Sequence, residues 1–336
     1  MDNQDVVDEE PLEQEPEAEA LTLWPGWSSA QQAIFVLLIL GGAAAGAMLA
    51  WQHFGEKVAD QPEYHLLAEQ IEITPRPAWV RTDVKAEVVR DAGLTKLNLL
   101  SPQVTVQVAQ AFATHSWVAE VRRVAKHFPA KVTVELIYRK PVAMVVVPME
   151  DKKPGLLPVD THGVLLPPAD FSATEATNDF LRIAVGGSLP AGPIGTPWGD
   201  QKVIGAAAIA SALSTRWKEL FIYQINLASG SRSNFRDRPL YEILTAFRVP
   251  IEGKSKDGNG QKKEYETVAG PKILWGHAPG DELPQEATAS QKIARLLQFV
   301  AEQGPEKLIE ASGDIDVRDG QQIRLQARTA RLQPAE

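Results

Sequence analysis

The chain is 336 residues long, carries 43 acidic against 34 basic side chains for a formal charge of −9, and contains no cysteine. Without cysteine it has no disulfides, zinc–thiolate sites or thiol nucleophiles. The charge is lopsided: residues 1–32 hold nine acidic side chains and no Lys or Arg, and beyond them 34 acidic residues balance the 34 basic ones, which excludes the basic face of a nucleic-acid binder.

Residues 1–32 lack periodic apolar positions and include Pro11 and Pro16, so they read as a disordered acidic tail. Ala33–Trp51 then runs without charge or proline. As a helix it covers about 28 Å, close to the hydrocarbon thickness of a bilayer. A helix also satisfies its own backbone groups, which lipid cannot do. Trp24, Trp27 and Trp51 stand where interfacial aromatic residues belong. The run is long, starts far into the chain and lacks the basic lead of a cleaved signal peptide, so a transmembrane helix over 33–51 is expected in place of a signal or a buried core helix. Gly42 and Gly46 lie one helical turn apart among alanines, a spacing that lets two helices approach closely, although small residues also simply fill such helices. Lys57 alone follows the span closely, and a count of positive charges would put the C-terminal side in the cytoplasm.

After a polar connector, Leu67–Thr74 alternates like a strand and ends at Pro75-Arg76-Pro77. Thr82–Ala92 reads as a helix, with Asp83 at its start, Gly93 past its end and an apolar face of Val84, Val88 and Val89. A second helix opens at Ser101-Pro102, a capping residue followed by proline, and carries Val104, Val108, Ala111 and Phe112 at helical spacing. Trp117–Val124 and Lys131–Tyr138 are strands joined through Phe128-Pro129. Strand, helix, helix, strand, strand makes one small α+β module with helices on one sheet face.

That order, Ser116-Trp117-Val118 before the second strand, Phe128-Pro129 before the third and the exit Arg139-Lys140-Pro141-Val142-Ala143 resemble a POTRA domain of the kind found in FtsQ/DivIB-type bacterial cell-division proteins. The stretch Leu157–Pro167, with Val159-Asp160, Gly163 and a closing apolar-Pro pair, resembles the hairpin that opens that family's second domain. The resemblance covers about residues 33–326. It divides the chain into an acidic tail (1–32), the transmembrane helix (33–51), a POTRA domain (66–142), an FtsQ-like β domain (143–327) and a disordered C-terminal tail (328–336).

The second domain continues with a strand over Leu181–Val185, a Gly/Pro-rich loop over 186–197 and an alanine-rich helix over Trp198–Arg216. In the next strand Phe221, Tyr223, Ile225 and Leu227 alternate with Ile222, Gln224 and Asn226. Tyr241–Arg248 and Lys272–Gly276 are strands separated by a polar connection over 252–266. A helix over Thr288–Gln303 places Ile293, Leu296, Leu297 and Val300 on one face. Ile315–Arg318 and Gln322–Gln326 close the domain around Asp319-Gly320. Mostly hairpin connections imply an antiparallel sheet with helices on one face.

Reaction machinery is missing. There is no Gly-x-Ser-x-Gly elbow, phosphate-binding glycine loop or His-Glu-x-x-His. The six histidines are scattered, Asp160 and His162 read as turn residues, and a calcium loop at Asp257–Glu264 fails because Lys262 stands at the obligatory glycine. No enzyme activity, cofactor, metal or small-molecule substrate is expected; binding remains. The resemblance implies an inner-membrane protein concentrated at the division septum, with a cytoplasmic N-terminus and extracytoplasmic domains. It also implies a hub for other divisome membrane proteins, whose last strands pair with small single-pass coiled-coil partners of the FtsB/FtsL or DivIC type and so help control septal wall synthesis. The partner-binding edge then comprises Arg318, Ile323 and Leu325, the alternative being that Ile323 and Leu325 simply face the core, with the strand at Leu67–Thr74 as a second edge; where the family favours aromatic residues, this chain has Asp319 and Leu325. The competing readings are a POTRA-bearing secretion or membrane-assembly factor, which needs a pore or barrel segment, and a wall-modifying enzyme.

Overall fold

The computed structural model describes residues 28–59, 64–128, 131–149, 154–228, 238–250, 265–304, 313–319 and 323–327. Most of the acidic tail, the connection over 251–264 with its rejected calcium loop, and the C-terminal tail lie outside them. The chain forms two compact units, Met1–Pro62 and Glu63–Glu336.

The first unit is helix α1 (Ser29–Ala59). Its stretch Ala30–Gln52 is long and apolar enough to cross a membrane.

The second unit is an α+β body with two sheets and two apolar cores. The first sheet takes its strands in the order β1 (Ile71–Ile73), β3 (Lys131–Tyr138), β2 (Val118–His127), with β1 parallel and β2 antiparallel to the central β3. Helices α2 (Val84–Asp91) and α3 (Val104–Ala113) supply Val84, Val88, Val104, Val108 and Phe112 to its core. Asp83 caps α2 by accepting from Ala86 N at 3.2 Å, and Gly93, at φ +59°, ends it by adopting a conformation that glycine takes without steric cost.

Two expectations shift here. The alternating stretch 67–74 yields only three strand residues, because Ala68–Gln70 coil into a 3-10 turn held by Gln70 Oε1 accepting from Leu67 N. Ser101 does not cap α3 directly; it accepts from Gln103 N at 3.4 Å in a turn that feeds the helix.

The second sheet has eight strands in the order β11-β10-β9-β8-β7-β6-β4-β5. These are β4 (Pro141–Val147), β5 (Gly155–Asp160), β6 (Leu181–Ala184), β7 (Ile222–Leu227), β8 (Tyr241–Pro250), β9 (Tyr265–Gly276), β10 (Gly313–Asp316) and β11 (Arg324–Ala327). The expected antiparallel sheet is in fact mixed: β4/β6, β6/β7 and β9/β10 are parallel pairs. The reason is the helices. Helix α4 (Ala173–Asn178) lies between β5 and β6, helix α5 (Gln201–Leu213) connects β6 to β7 and α6 (Ala289–Gln303) connects β9 to β10, and a strand–helix–strand crossover returns the chain in its starting direction.

Strand β4 is a continuous apolar run, buried at nearly every position in the sheet interior, and alternation alone does not reveal it. In β7 the register against β8 slips between Ile222 and Gln224, so Ile222 and Ile225 fill the core, and the simple alternation Phe221, Tyr223, Ile225, Leu227 does not hold.

The two sheets share a seam. Leu166 and Phe171 follow β5 in sequence yet pack into the first core. Asp170, beside them, accepts from the Trp117 indole N–H at 2.7 Å and from Thr82 Oγ1 at 2.9 Å. Trp117 is fully buried and Asp170 only 7% exposed. On the other side of the seam, Asp160 joins Arg139 at 2.8 Å in a nearly buried ion pair.

Candidate partner-binding edge

Among the described residues β11 is the last strand of the eight-stranded sheet, paired on one side only. Such a rim presents backbone N–H and C=O groups that another strand can pair with. Its neighbour β10 runs antiparallel in the register Asp314↔Gln326, Ile315↔Leu325, Asp316↔Arg324.

Directly opposed residues share a face, so Leu325 stands beside Ile315 on the side turned toward the core. Ile315 is completely buried whereas Leu325 is 56% exposed. Among the described residues the core face thus runs one strand beyond its cover. A strand added alongside β11 would continue the sheet and set its own side chains beside Leu325.

The other two expected site residues are differently placed. Ile323 is half-buried and packs against the domain's own core. Arg318 folds back on Asp316: its Nε donates at 2.9 Å and its Nη2 at 2.6 Å to that carboxylate, which also accepts from Arg318 N at 3.0 Å and Gln326 Nε2 at 2.7 Å. Burial works to raise the Asp316 pKa, but the bonds from Arg318 outweigh it and hold the carboxyl below its usual range. Arg318 is raised in turn, chiefly by its bond to Asp316. The structure therefore brings Arg318 and Leu325 to one rim, with Arg318 braced within it.

Beneath the rim lies a charged cluster that sequence reasoning missed. Lys292 on α6, completely buried, donates to Glu286 Oε1 at 2.6 Å and sits over the Trp275 ring at 5.0 Å. Glu286 Oε1 also accepts from His277 N at 2.8 Å, and its Oε2 lies 2.6 Å from His277 Nδ1. Burial pushes Glu286 up, but the bonds from Lys292 and His277 prevail and its pKa is lowered.

The cluster reaches the edge through the backbone: Ala287 N donates to Arg318 O at 3.0 Å, and Glu286 and Asp319 form an isolated antiparallel bridge. Gly276, at φ +91°, makes room for it, since a Cβ there would overlap the Glu286 carboxylate and press on Arg318 Cγ. The Asp316–Arg318 pair, unlike the cluster, left a signal in sequence: the two are two residues apart, a spacing that brings side chains of extended chain to one side.

The remaining candidates are simpler. Asp160 accepts from His162 N at 2.8 Å and Val164 N at 2.9 Å, so it meets His162 through the backbone of a turn. Gly42 and Gly46 lie in α1 with open space where a Cβ would stand. Among the described residues no three His, Asp or Glu side chains gather as a metal would require.

Compared with known proteins, the chain matches no family model and no curated protein.

Proposed function

We propose that this protein is a bitopic membrane scaffold of the FtsQ/DivIB type. In this reading a single transmembrane helix holds a POTRA domain and an FtsQ-like β domain outside the cytoplasm, and the protein links early and late bacterial division proteins at the septum. It acts by lending the β11 rim to a small single-pass coiled-coil partner of the FtsB/FtsL or DivIC type. Backbone pairing supplies the attachment and alternate side chains supply the choice of partner.

The observation that carries this reading is the exposed Leu325 on a strand that, among the described residues, is terminal and paired on one side, and whose opposite residue is buried. The strand–helix–helix–strand–strand order of the first module and its parallel β1/β3 pair fit the POTRA assignment, and α1 suits the anchor.

The decisive test is co-purification of the full chain from dividing cells. Leu325→Lys should abolish recovery of a small coiled-coil membrane protein while the fold is retained; undiminished recovery removes the edge as the binding site. A fluorescent fusion should gather at midcell, and uniform membrane signal through division counts against the scaffold. Protease added to spheroplasts should digest the domains and spare the acidic tail, and the reverse pattern would overturn the orientation.

A further inference from the structure

A groove of about 790 Å³ opens where β6 and β7 begin and β8 and β9 run on past them. No residue of β10 or β11 lines it. Its size falls in the range of ligand clefts. The walls are aromatic: Phe180 leads into β6, Trp217 follows α5, and Phe221 leads into β7 with its ring 4.7 Å from that of the buried Phe247. Phe180, Trp217 and Phe221 are each only half-buried, so apolar ring surface is left facing water.

Two cations line the groove, and among the described residues that line it there is no carboxylate. Lys218 is already engaged: its Nζ lies 5.1 Å from the Trp217 ring and 3.7 Å from Asp179 Oδ1. Arg182 is not. Leu181 and Ile183 turn into the core, which puts Arg182 on the opposite face of β6, half-buried, and among the described residues its side chain has no hydrogen bond or ion pair. Its neighbours across the sheet, Met144 and Gln224, bring no carboxylate, and Gln224 Nε2 donates to Asn226 at 2.8 Å. A guanidinium drawn partly out of water without an acceptor is costly, and its planar fork matches a carboxylate.

The backbone is strained at the same place. Phe221 has φ +54°, the only positive φ outside glycine among the described residues, in a region where a bulky side chain is disfavoured. Ile222 N donates to Trp217 O and Ala246 N to Phe221 O, both at 2.9 Å, and these bonds hold the turn that carries the two rings.

We propose that this groove binds a peptide segment of another protein in which a carboxylate side chain stands beside an aromatic or large aliphatic one. The carboxylate pairs with Arg182, the apolar neighbour packs on the exposed rings, and Asn178 and Thr267, both exposed on the lining, offer hydrogen bonds to the peptide backbone. Charge sets the choice of occupant. A basic segment would meet an unpaired guanidinium, and a purely apolar one would desolvate that guanidinium without an acceptor. The proposal uses neither the β11 rim nor the anchor.

The full-length protein in nanodiscs of neutral lipid serves as bait for displayed random short peptides, with Arg182→Gln as the counter-selection. Recovered sequences should set Asp or Glu beside an aromatic or large aliphatic residue. A dye-labelled peptide so recovered should bind at least about tenfold more weakly to Arg182→Gln, the loss of one charge-assisted bond, and should bind Leu325→Lys unchanged. Lys218, 65% exposed, is outside the core, so Lys218→Glu should weaken the same peptide even if Arg182→Gln fails to fold. Recovery of peptides without an acidic residue, recovery of none above the counter-selection, or binding that neither variant alters overturns the proposal. Displacement of the peptide by soluble short-chain phosphatidylglycerol assigns the groove to lipid and overturns it too. Loss with Leu325→Lys alone puts the peptide on the β11 rim and does the same.

Discussion

The two modules of the Glu63–Glu336 body solve opposite problems. The first, a three-stranded sheet under two short helices, has too little of its own to close its core and borrows Leu166 and Phe171 from the second. Its stability rests on apolar contacts around Trp117, with Asp170 and the Arg139–Asp160 pair at the seam. The second has an ample core under α5 and α6 but ends, among the described residues, in a strand paired on one side only. There it buries charge instead: Lys292, Glu286 and Asp316 hold the last strands in place. The contrast teaches where polar groups belong in a small α+β body. A core completed by a neighbour's side chains can be held by shape, whereas a terminal strand paired on one side among the described residues takes directional bonds from beneath.

Trp117→Ala should have the largest effect. It empties the first core and strands Asp170, at a cost of roughly 5 kcal/mol, so the first module should melt well before the second in a urea titration followed by hydrogen exchange. Simultaneous melting of both would erase the distinction between them. Lys292→Met should cost about 3 kcal/mol because it leaves Glu286 buried and short of a partner, whereas Lys292→Met with Glu286→Leu should recover most of that loss. Recovery would show that the charges specify the rim and do not stabilise it.

Asp170→Ala follows, at about 2 kcal/mol, through the unpaired Trp117 indole and Thr82 hydroxyl.

Acid should separate the modules by direction. Glu286 and Asp316 titrate below their ordinary values in the fold and near about 4.3 and 3.9 when unfolded. A depressed carboxyl contributes its full stabilisation above the unfolded pKa and loses it as pH falls through the folded one. Amide protection in β10 should therefore fall below about pH 4, ahead of protection in β3; protection in β3 lost first would contradict the division of labour.

Leu325→Lys should have the smallest effect on stability, under about 0.5 kcal/mol, because the residue is exposed at the rim. It should nevertheless weaken partner binding at least about tenfold, some 1.4 kcal/mol.

Much of this body was legible in sequence. Lys131–Tyr138 alternates cleanly and is a strand over those same residues, and Thr288 begins α6 with the capping box its spacing to Gln291 permits. The parallel pairs were legible too, since a strand followed by a thirteen-residue helix and another strand is a crossover; the hairpins on either side drew the reading toward an antiparallel sheet. β4 escaped because a run such as Val142-Ala143-Met144-Val145-Val146-Val147 has no period when both faces are buried. At the site, the position of Leu325 followed from the terminal strand, but its exposure did not, because exposure depends on where α6 stops covering the sheet. The Lys292–Glu286–His277 cluster joins residues from a loop and a helix, and no local spacing announces it.

The seam has a mechanical consequence. A bead-on-string pair could swing independently, but here a plug from one sheet sits inside the other, locked by the Trp117–Asp170 bond and flanked by the Arg139–Asp160 pair. A fragment cut after Tyr138 would carry an unfilled hole, and a tug arriving at either sheet is passed to its neighbour without slack. The two modules behave as a single lever.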